Sequence, residues 1–185
     1  MQINLITSNP GKVTELSRYL APEIKVNHIR HEYRELRSDS TEEIAEEAAK
    51  RLANELKKAV VVEDSGIFIN TLKGFPGTCS KYVHVRIGLK GLLKLMEGKK
   101  DRSCYYKSVL AYCKPGKEPI SFAGEEKGAI AEKERGNFGF GHDPIFIPES
   151  SKSTYGEMKD CHDRKKFRRM AADKMKGYFL KNKKL

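Results

Sequence analysis

Near its start the chain reads Thr7-Ser8-Asn9-Pro10-Gly11-Lys12: two hydroxyls, an amide, a turn and a lysine, just where a helical spacing begins. The free N–H groups and positive dipole end of a helix start suit an anion, above all a phosphate. The spacing is not that of a Walker A loop, and the same residues also make an ordinary Asn-Pro-Gly turn. Further on stands the acid pair Glu63-Asp64, with Glu32 and Glu35 upstream. Clustered hard oxygen ligands suit Mg²⁺, and a carboxylate beside such an ion orients or deprotonates water for in-line attack. Capping a loop is the plainer role open to this pair, although adjacent acids beside a buried strand require a cationic partner. In Phe138-Gly139-Phe140-Gly141-His142-Asp143-Pro144 rings alternate with small residues, which offers a flat face for a base and an acceptor in Asp143, or simply a packed turn. Arg164, Lys165, Lys166, Arg168 and Arg169 make a basic helix segment, most of which reads as a solvated face. Together these are the parts of a nucleotide-hydrolysing site.

The elements that must hold them follow from periodicity. Gln2 to Thr7 alternates as a strand, and Val13, Leu16 and Leu20 share one face of the helix after it. Glu23 to Ile29 reads as a second strand and Tyr33 to Ser40 as a polar connector. Ile44, Ala48, Leu52 and Leu56 mark a helix starting at Thr41. Ala59-Val60-Val61-Val62 is a short apolar run, expected to be a strand buried on both faces that ends at the acid pair. Strand ends of this kind gather ligands in open α/β sheets. A Gly74-Phe75-Pro76-Gly77 loop leads to a helix with Ile87, Leu89, Leu92, Leu93 and Met96. Hairpin strands are expected over Cys104 to Tyr112 and Ile120 to Ile130, and a brief strand over Ile145 to Ile147. A last helix starts in the region of Asp160 to Arg164 and presents Phe167, Met170, Ala171 and Lys174 on one face.

With 185 residues and no repeat or linker, the chain is expected to be a single domain over 1–185. Its formal charge is +11, of which the segment from Lys159 to Leu185 carries +8. Such a charge calls for a polyanion, and a nucleic-acid-binding module is the alternative it raises. No apolar run is long enough for a membrane span and no export signal opens the chain, so it reads as soluble and cytoplasmic. Cys79, Cys104, Cys113 and Cys161 lack zinc-site spacing and are expected to be reduced.

The ordered motifs make the chain similar to nucleoside-triphosphate pyrophosphatases of the inosine triphosphatase type, the Ham1-like family. The resemblance runs from Thr7–Lys12 with Glu15-Leu16, through Val62-Glu63-Asp64-Ser65-Gly66 and Gly74–Gly77 with Ser80-Lys81, to Phe140–Phe146 and Thr154-Tyr155-Gly156-Glu157-Met158. It implies an elongated α/β fold whose central mixed sheet is flanked by helices, with two lobes around a cleft. It also implies hydrolysis between the α and β phosphates of deaminated purine triphosphates, with Mg²⁺ or Mn²⁺, in a homodimer. By resemblance Thr7, Ser8, Asn9 and Lys12 hold phosphates, with Lys12 also catalytic. Asp64 is the water-activating or metal-binding acid, Glu63 assists, and Ser65 and Lys81 touch substrate. Glu35, in Tyr33-Arg34-Glu35, is the upstream metal ligand in preference to Glu32. Phe140, Gly141, His142 and Asp143 form the base loop, where the family usually has Trp or Tyr at the position of His142. The family's Lys-Asn-x-x-Ser-His-Arg block falls on Asp163 to Arg169, where only Arg169 matches and joins the base set; another register uses His162 and Arg164.

Overall fold

The structure is a computed structural model describing residues 1–182; Lys183, Lys184 and Leu185, the end of the basic tail, lie outside it. In chain order the elements are β1 (Gln2–Ile6), α1 (Pro10–Leu20), β2 (Lys25–Ile29), α2 (Thr41–Leu56), β3 (Val60–Ile69), β4 (Pro76–Gly77), α3 (Ser80–Leu95), β5 (Ser103–Cys113), β6 (Ile120–Ile130), β7 (Phe146–Pro148), α4 (Cys161–Arg164) and α5 (Lys166–Lys181). The strands make one open, mixed seven-stranded sheet in the order β2-β1-β3-β5-β6-β7, with β4 beside β3. Helices flank it, as the expected fold class requires.

The chain divides into two compact units. The first holds Met1–Asp64, Ser108–Gly124 and the chain from Lys166 onward. Here β1 pairs in parallel with β2 from Gln2↔Lys25 to Ile6↔Ile29, and with β3 through Leu5↔Val61 and Ile6↔Val62. Because alternate side chains point to opposite faces, each strand feeds two cores. Ile3, Leu5 and Val61 pack with Leu16 and Leu20 of α1 and Ala172, Met175 and Phe179 of α5. Ile6, Val60 and Val62 pack with Ala45, Ala48, Ala49 and Leu52 of α2. Asn9 caps α1 by accepting from the N–H groups of Gly11 and Lys12, and Ser40 caps α2 by accepting from Glu43 at 3.2 Å.

The second unit holds Ser65–Lys107 and Glu125–Lys165. The later half of β3 pairs antiparallel with β4, Ile67↔Gly77, and β6 pairs antiparallel with β7, Ala129↔Ile147. Phe146 packs its ring against Tyr106 at 4.6 Å and Tyr155 at 5.5 Å. Gly66 lets β3 approach the next turn closely, since a Cβ there would lie 2.1 Å from the Gly77 carbonyl oxygen.

Several sequence expectations are corrected. The acid pair does not end its strand: β3 continues to Ile69, so Glu63 and Asp64 lie in its middle, because pairing with β4 extends the ladder beyond Gly66. The helix expected with Ile87, Leu89 and Leu92 is α3, kinked at Gly88 with φ 65°; Leu89 and Leu92 are buried and Ile87 is exposed. On α5 the buried face is Phe167, Arg168, Ala171, Ala172, Met175 and Phe179, while Met170 is exposed and Lys174 reaches the Ala123 carbonyl. The four cysteines are free, and burial foremost pushes the Cys104 thiol up to about 12. Among the described residues no helix is long and apolar enough to cross a membrane.

Candidate active site

From β1 the chain runs through α1 to β2 on one side, and α2 then returns it to β3 on the other side of β1. Strand order therefore reverses at the carboxyl end of β1, the position at which open α/β sheets bind ligands. Pairing of β1 with β3 ends at Ile6↔Val62, so Thr7-Ser8 and Glu63-Asp64 are the next residues of the two strands. Thr7 is buried and its hydroxyl accepts from the Asn9 N–H at 3.1 Å, which shapes the turn into α1. Ser8 is exposed and Asn9 half-buried.

Glu63 is the best-connected side chain of this region. Its Oε1 accepts from the Ser108 hydroxyl at 2.7 Å and from Arg168 Nε at 2.9 Å. Lys12 Nζ lies 3.0 Å from Oε2 and donates to the Glu63 carbonyl at 2.9 Å. Burial by itself would raise this carboxyl, but the charges of Arg168 and Lys12 and the hydrogen bonds from Ser108 and Lys12 overcome it and bring it down to about 2. Arg168 in turn donates to Glu15, which is buried on α1.

Asp64 follows on the strand and is 9% exposed. Burial foremost, then the negative charges of Glu35, Asp64 and Glu63, hold the Tyr33 hydroxyl far above its ordinary range. The charges of Glu35 and of the acid pair thus all bear on Tyr33, while Glu32, exposed as Glu35 is, does not figure among them. No group of three His, Cys, Asp or Glu side chains poised around an ion exists among the described residues. Mg²⁺ does not need one, since it retains waters and takes one or two carboxylates together with substrate phosphates. Asp64 and Glu35 carry hard oxygens of the kind such an ion takes, and both lend negative charge to the surroundings of Tyr33. Glu63 Oε1 is taken by Ser108 and Arg168, and Oε2 faces Lys12 as an ion pair.

The second unit carries the glycine-rich loop. Asp143 Oδ2 accepts from the Phe140 N–H at 2.6 Å and from Lys165 Nζ at 2.7 Å, with both charged groups almost wholly buried. Lys165 Nζ also stands 3.9 Å over the Phe140 ring, and His162 lies nearly parallel to that ring at 6.3 Å. Phe140 and Gly141 are half-buried. His142 is turned inward against His84, centroids 5.3 Å apart, and its Nε2 has no hydrogen-bond partner among the described residues. Burial, then the neighbouring His84, lowers its pKa to about 4. A histidine whose folded pKa lies below its unfolded value of 6.5 withdraws stability as pH falls from about 6.5 to about 4. Over that window the loss expected from His142 is about 3 kcal/mol. Urea denaturation across it measures this, and His142→Phe is expected to flatten the acid slope; an unchanged slope would assign it to other groups.

Ser65 is half-buried beside Asp64, and Lys81 is exposed in the first turn of α3. Arg169, the family-matching arginine, is exposed with its guanidinium 4.5 Å over the Tyr19 ring; the inward guanidinium is that of Arg168. The inward turn of Arg168 and of Lys165, and the parts played by Ser108 and His84, escaped sequence reasoning; Arg168, at the family's His position and so expected to donate to a base, is bound to Glu15 and Glu63 instead. The first two were hidden within a charge run, and nothing in the local pattern marks Ser108 or His84. The basic segment is not a uniform solvated face: two of its five cations are buried, and Arg164 pairs with Asp160 at 2.7 Å.

A strand reversal beside a capped helix start, with a lysine and an acid pair next to it, puts the protein among α/β enzymes that handle phosphorylated substrates. The Ham1 family model matches residues 3–178, and the chain belongs to that family. It is 48% identical over 159 residues to the dITP/XTP pyrophosphatase of Methanopyrus kandleri, covering 85% of each chain. With the dITP/XTP pyrophosphatase of Methanosarcina mazei it shares 44% over 182 residues, 97% of each. Among solved structures it is similar to the Ham1 protein of Staphylococcus aureus, with a TM-score of 0.83, 27% identity and full coverage of both chains.

Proposed function

We propose that this chain hydrolyses deaminated purine nucleoside triphosphates, such as ITP, XTP and dITP, to the monophosphate and pyrophosphate, and so cleanses the nucleotide pool. The observation that carries this reading is the meeting of the capped α1 start, Lys12 and the Glu63-Asp64 pair at the point where strand order reverses. The relatives named dITP/XTP pyrophosphatase support the substrate class.

The triphosphate lies against Thr7, Ser8 and the N–H groups of the α1 start. Lys12 donates one N–H to the Glu63 carbonyl and faces the Glu63 carboxylate as an ion pair, and turns a further N–H to a phosphate oxygen. Asp64 holds the attacking water and takes its proton as oxygen bonds to the α phosphorus and the bond to the bridging oxygen breaks, releasing pyrophosphate. Mg²⁺, or Mn²⁺ in its place, bound by Asp64 and Glu35, would offset charge on the phosphate oxygens. Glu63 acts as the anchor of Lys12 rather than as a metal ligand. Ser65 and Lys81 are assigned to further substrate contacts. Phe140, Gly141 and Asp143 receive the base, with Arg169 kept in the base-reading set; His142 serves by packing the loop. A homodimer in the cytoplasm completes the reading, the dimer being checked by sedimentation.

Pyrophosphate release from ITP, XTP, dITP, ATP and GTP, with Mg²⁺, Mn²⁺ or a chelator, tests the proposal. A higher kcat/KM for the deaminated purines and silence with chelator are expected. No release from any triphosphate, together with binding to nucleic acid that weakens steeply with salt, would replace the enzyme by the nucleic-acid module.

A further inference from the structure

Arg168 stands out in a segment whose composition reads as a solvated face. It heads the protein's largest fully buried side chains, at 2% exposure. Burying a guanidinium is costly unless its donors are met. Its Nε donates to Glu63 Oε1 at 2.9 Å and its Nη1 to Glu15, both carboxylates being shut off from solvent. A planar fork can serve two carboxylates at once, which an ammonium does less well. Arg168 thereby ties α5 to α1 through Glu15 and to β3 through Glu63.

What this does to Glu63 matters for the site. Arg168 and the Ser108 hydroxyl both occupy Oε1, so the carboxylate is oriented with Oε2 toward Lys12, 3.0 Å away. Lys12 is itself capped by that oxygen and by the Glu63 carbonyl. We infer that Arg168 is a positioning residue for the phosphate-binding lysine: it holds Glu63 in the orientation that places the Lys12 ammonium at the start of α1. It touches no substrate in this role. Of the two cations on Glu63, only Lys12 remains when Arg168 is removed, and Lys12 is then drawn toward the carboxylate and away from a phosphate. The inference rests on the phosphate role proposed for Lys12.

A double-mutant cycle tests it, using Arg168→Lys, Lys12→Met and the pair together. For pyrophosphate release from ITP, R168K is expected to lower kcat/KM at least about tenfold, with a loss of melting temperature that is the same in the K12M background. In the K12M background the same change is expected to cost less than about twofold, because a residue acting through Lys12 has nothing left to position. A merely structural role would lower activity by the same factor in both backgrounds, and that result, or wild-type kcat/KM in R168K, overturns the inference. If R168K does not fold, Arg168→Met with Glu15→Gln removes a buried cation and a buried anion together and takes its place in the cycle. If the wild-type protein releases pyrophosphate from no triphosphate, the functional reading fails by itself. The cycle is then run on the affinity for inorganic tripolyphosphate, where the same coupling is expected and simple additivity overturns the inference.

Discussion

Asp64→Asn is expected to lower kcat for pyrophosphate release by about 10²–10⁴-fold, the span of general-base catalysis, while the fold survives. Asparagine matches aspartate in size and can hydrogen-bond in its place, but it neither accepts the proton of water nor presents a charge to a cation. Asp64 sits in the interior of β3, between the engaged Glu63 and the Gly66 close approach, so the strand and its neighbours help hold its backbone position. Steady-state kinetics with Mg²⁺, alongside thermal melting, measure both halves of the expectation. Turnover near wild type in the variant would remove Asp64 from the mechanism. Loss of turnover with a collapsed melting temperature would make it a structural residue instead.

Lys12→Met is expected to cost about 10²–10³ in kcat/KM, the usual loss when one preorganised donor to a developing phosphate charge is removed. The methionine keeps the unbranched stem, and the side chain is only 16% exposed, so packing at the start of α1 is largely retained. Glu63 keeps Arg168 and Ser108 as partners, which spares it the penalty of an unpaired buried carboxylate. Because Lys12 is proposed to meet the phosphates, the loss is expected for ITP and ATP alike, leaving the preference between bases unchanged. A variant that altered base preference while sparing kcat/KM for the better substrate would place Lys12 elsewhere in the site.

How much of this was legible beforehand divides along physical lines. The β1–α1 unit and the α2 stripe of Ile44, Ala48 and Leu52 appear as the periodicity expects, since the signals come from residues a few positions apart. The burial of Val60, Val61 and Val62 follows from an unbroken apolar run that only a strand covered on both faces can carry. The end of β3 was misjudged because its second half depends on β4, a two-residue strand with almost no pattern of its own. The kink of α3 was not legible, because it rests on the left-handed conformation of the single residue Gly88.

Charge shows the boundary most clearly. By itself the sequence determined which acids and bases exist, that a lysine begins a helix and an acid pair follows an apolar strand, and the Ham1 motif order along the chain. It did not determine which cations turn inward. Successive residues of a helix are rotated by about 100°, so the difference between Arg168 inside and Arg169 outside is one step of register. That register is decided by Phe167, Ala171 and Met175 seating in the core, and by two carboxylates, Glu15 and Glu63, that lie 153 and 105 residues away in the chain. A local pattern carries no information about partners so distant; only the packed structure brings a compensating charge within hydrogen-bond reach and makes burial of the arginine tolerable.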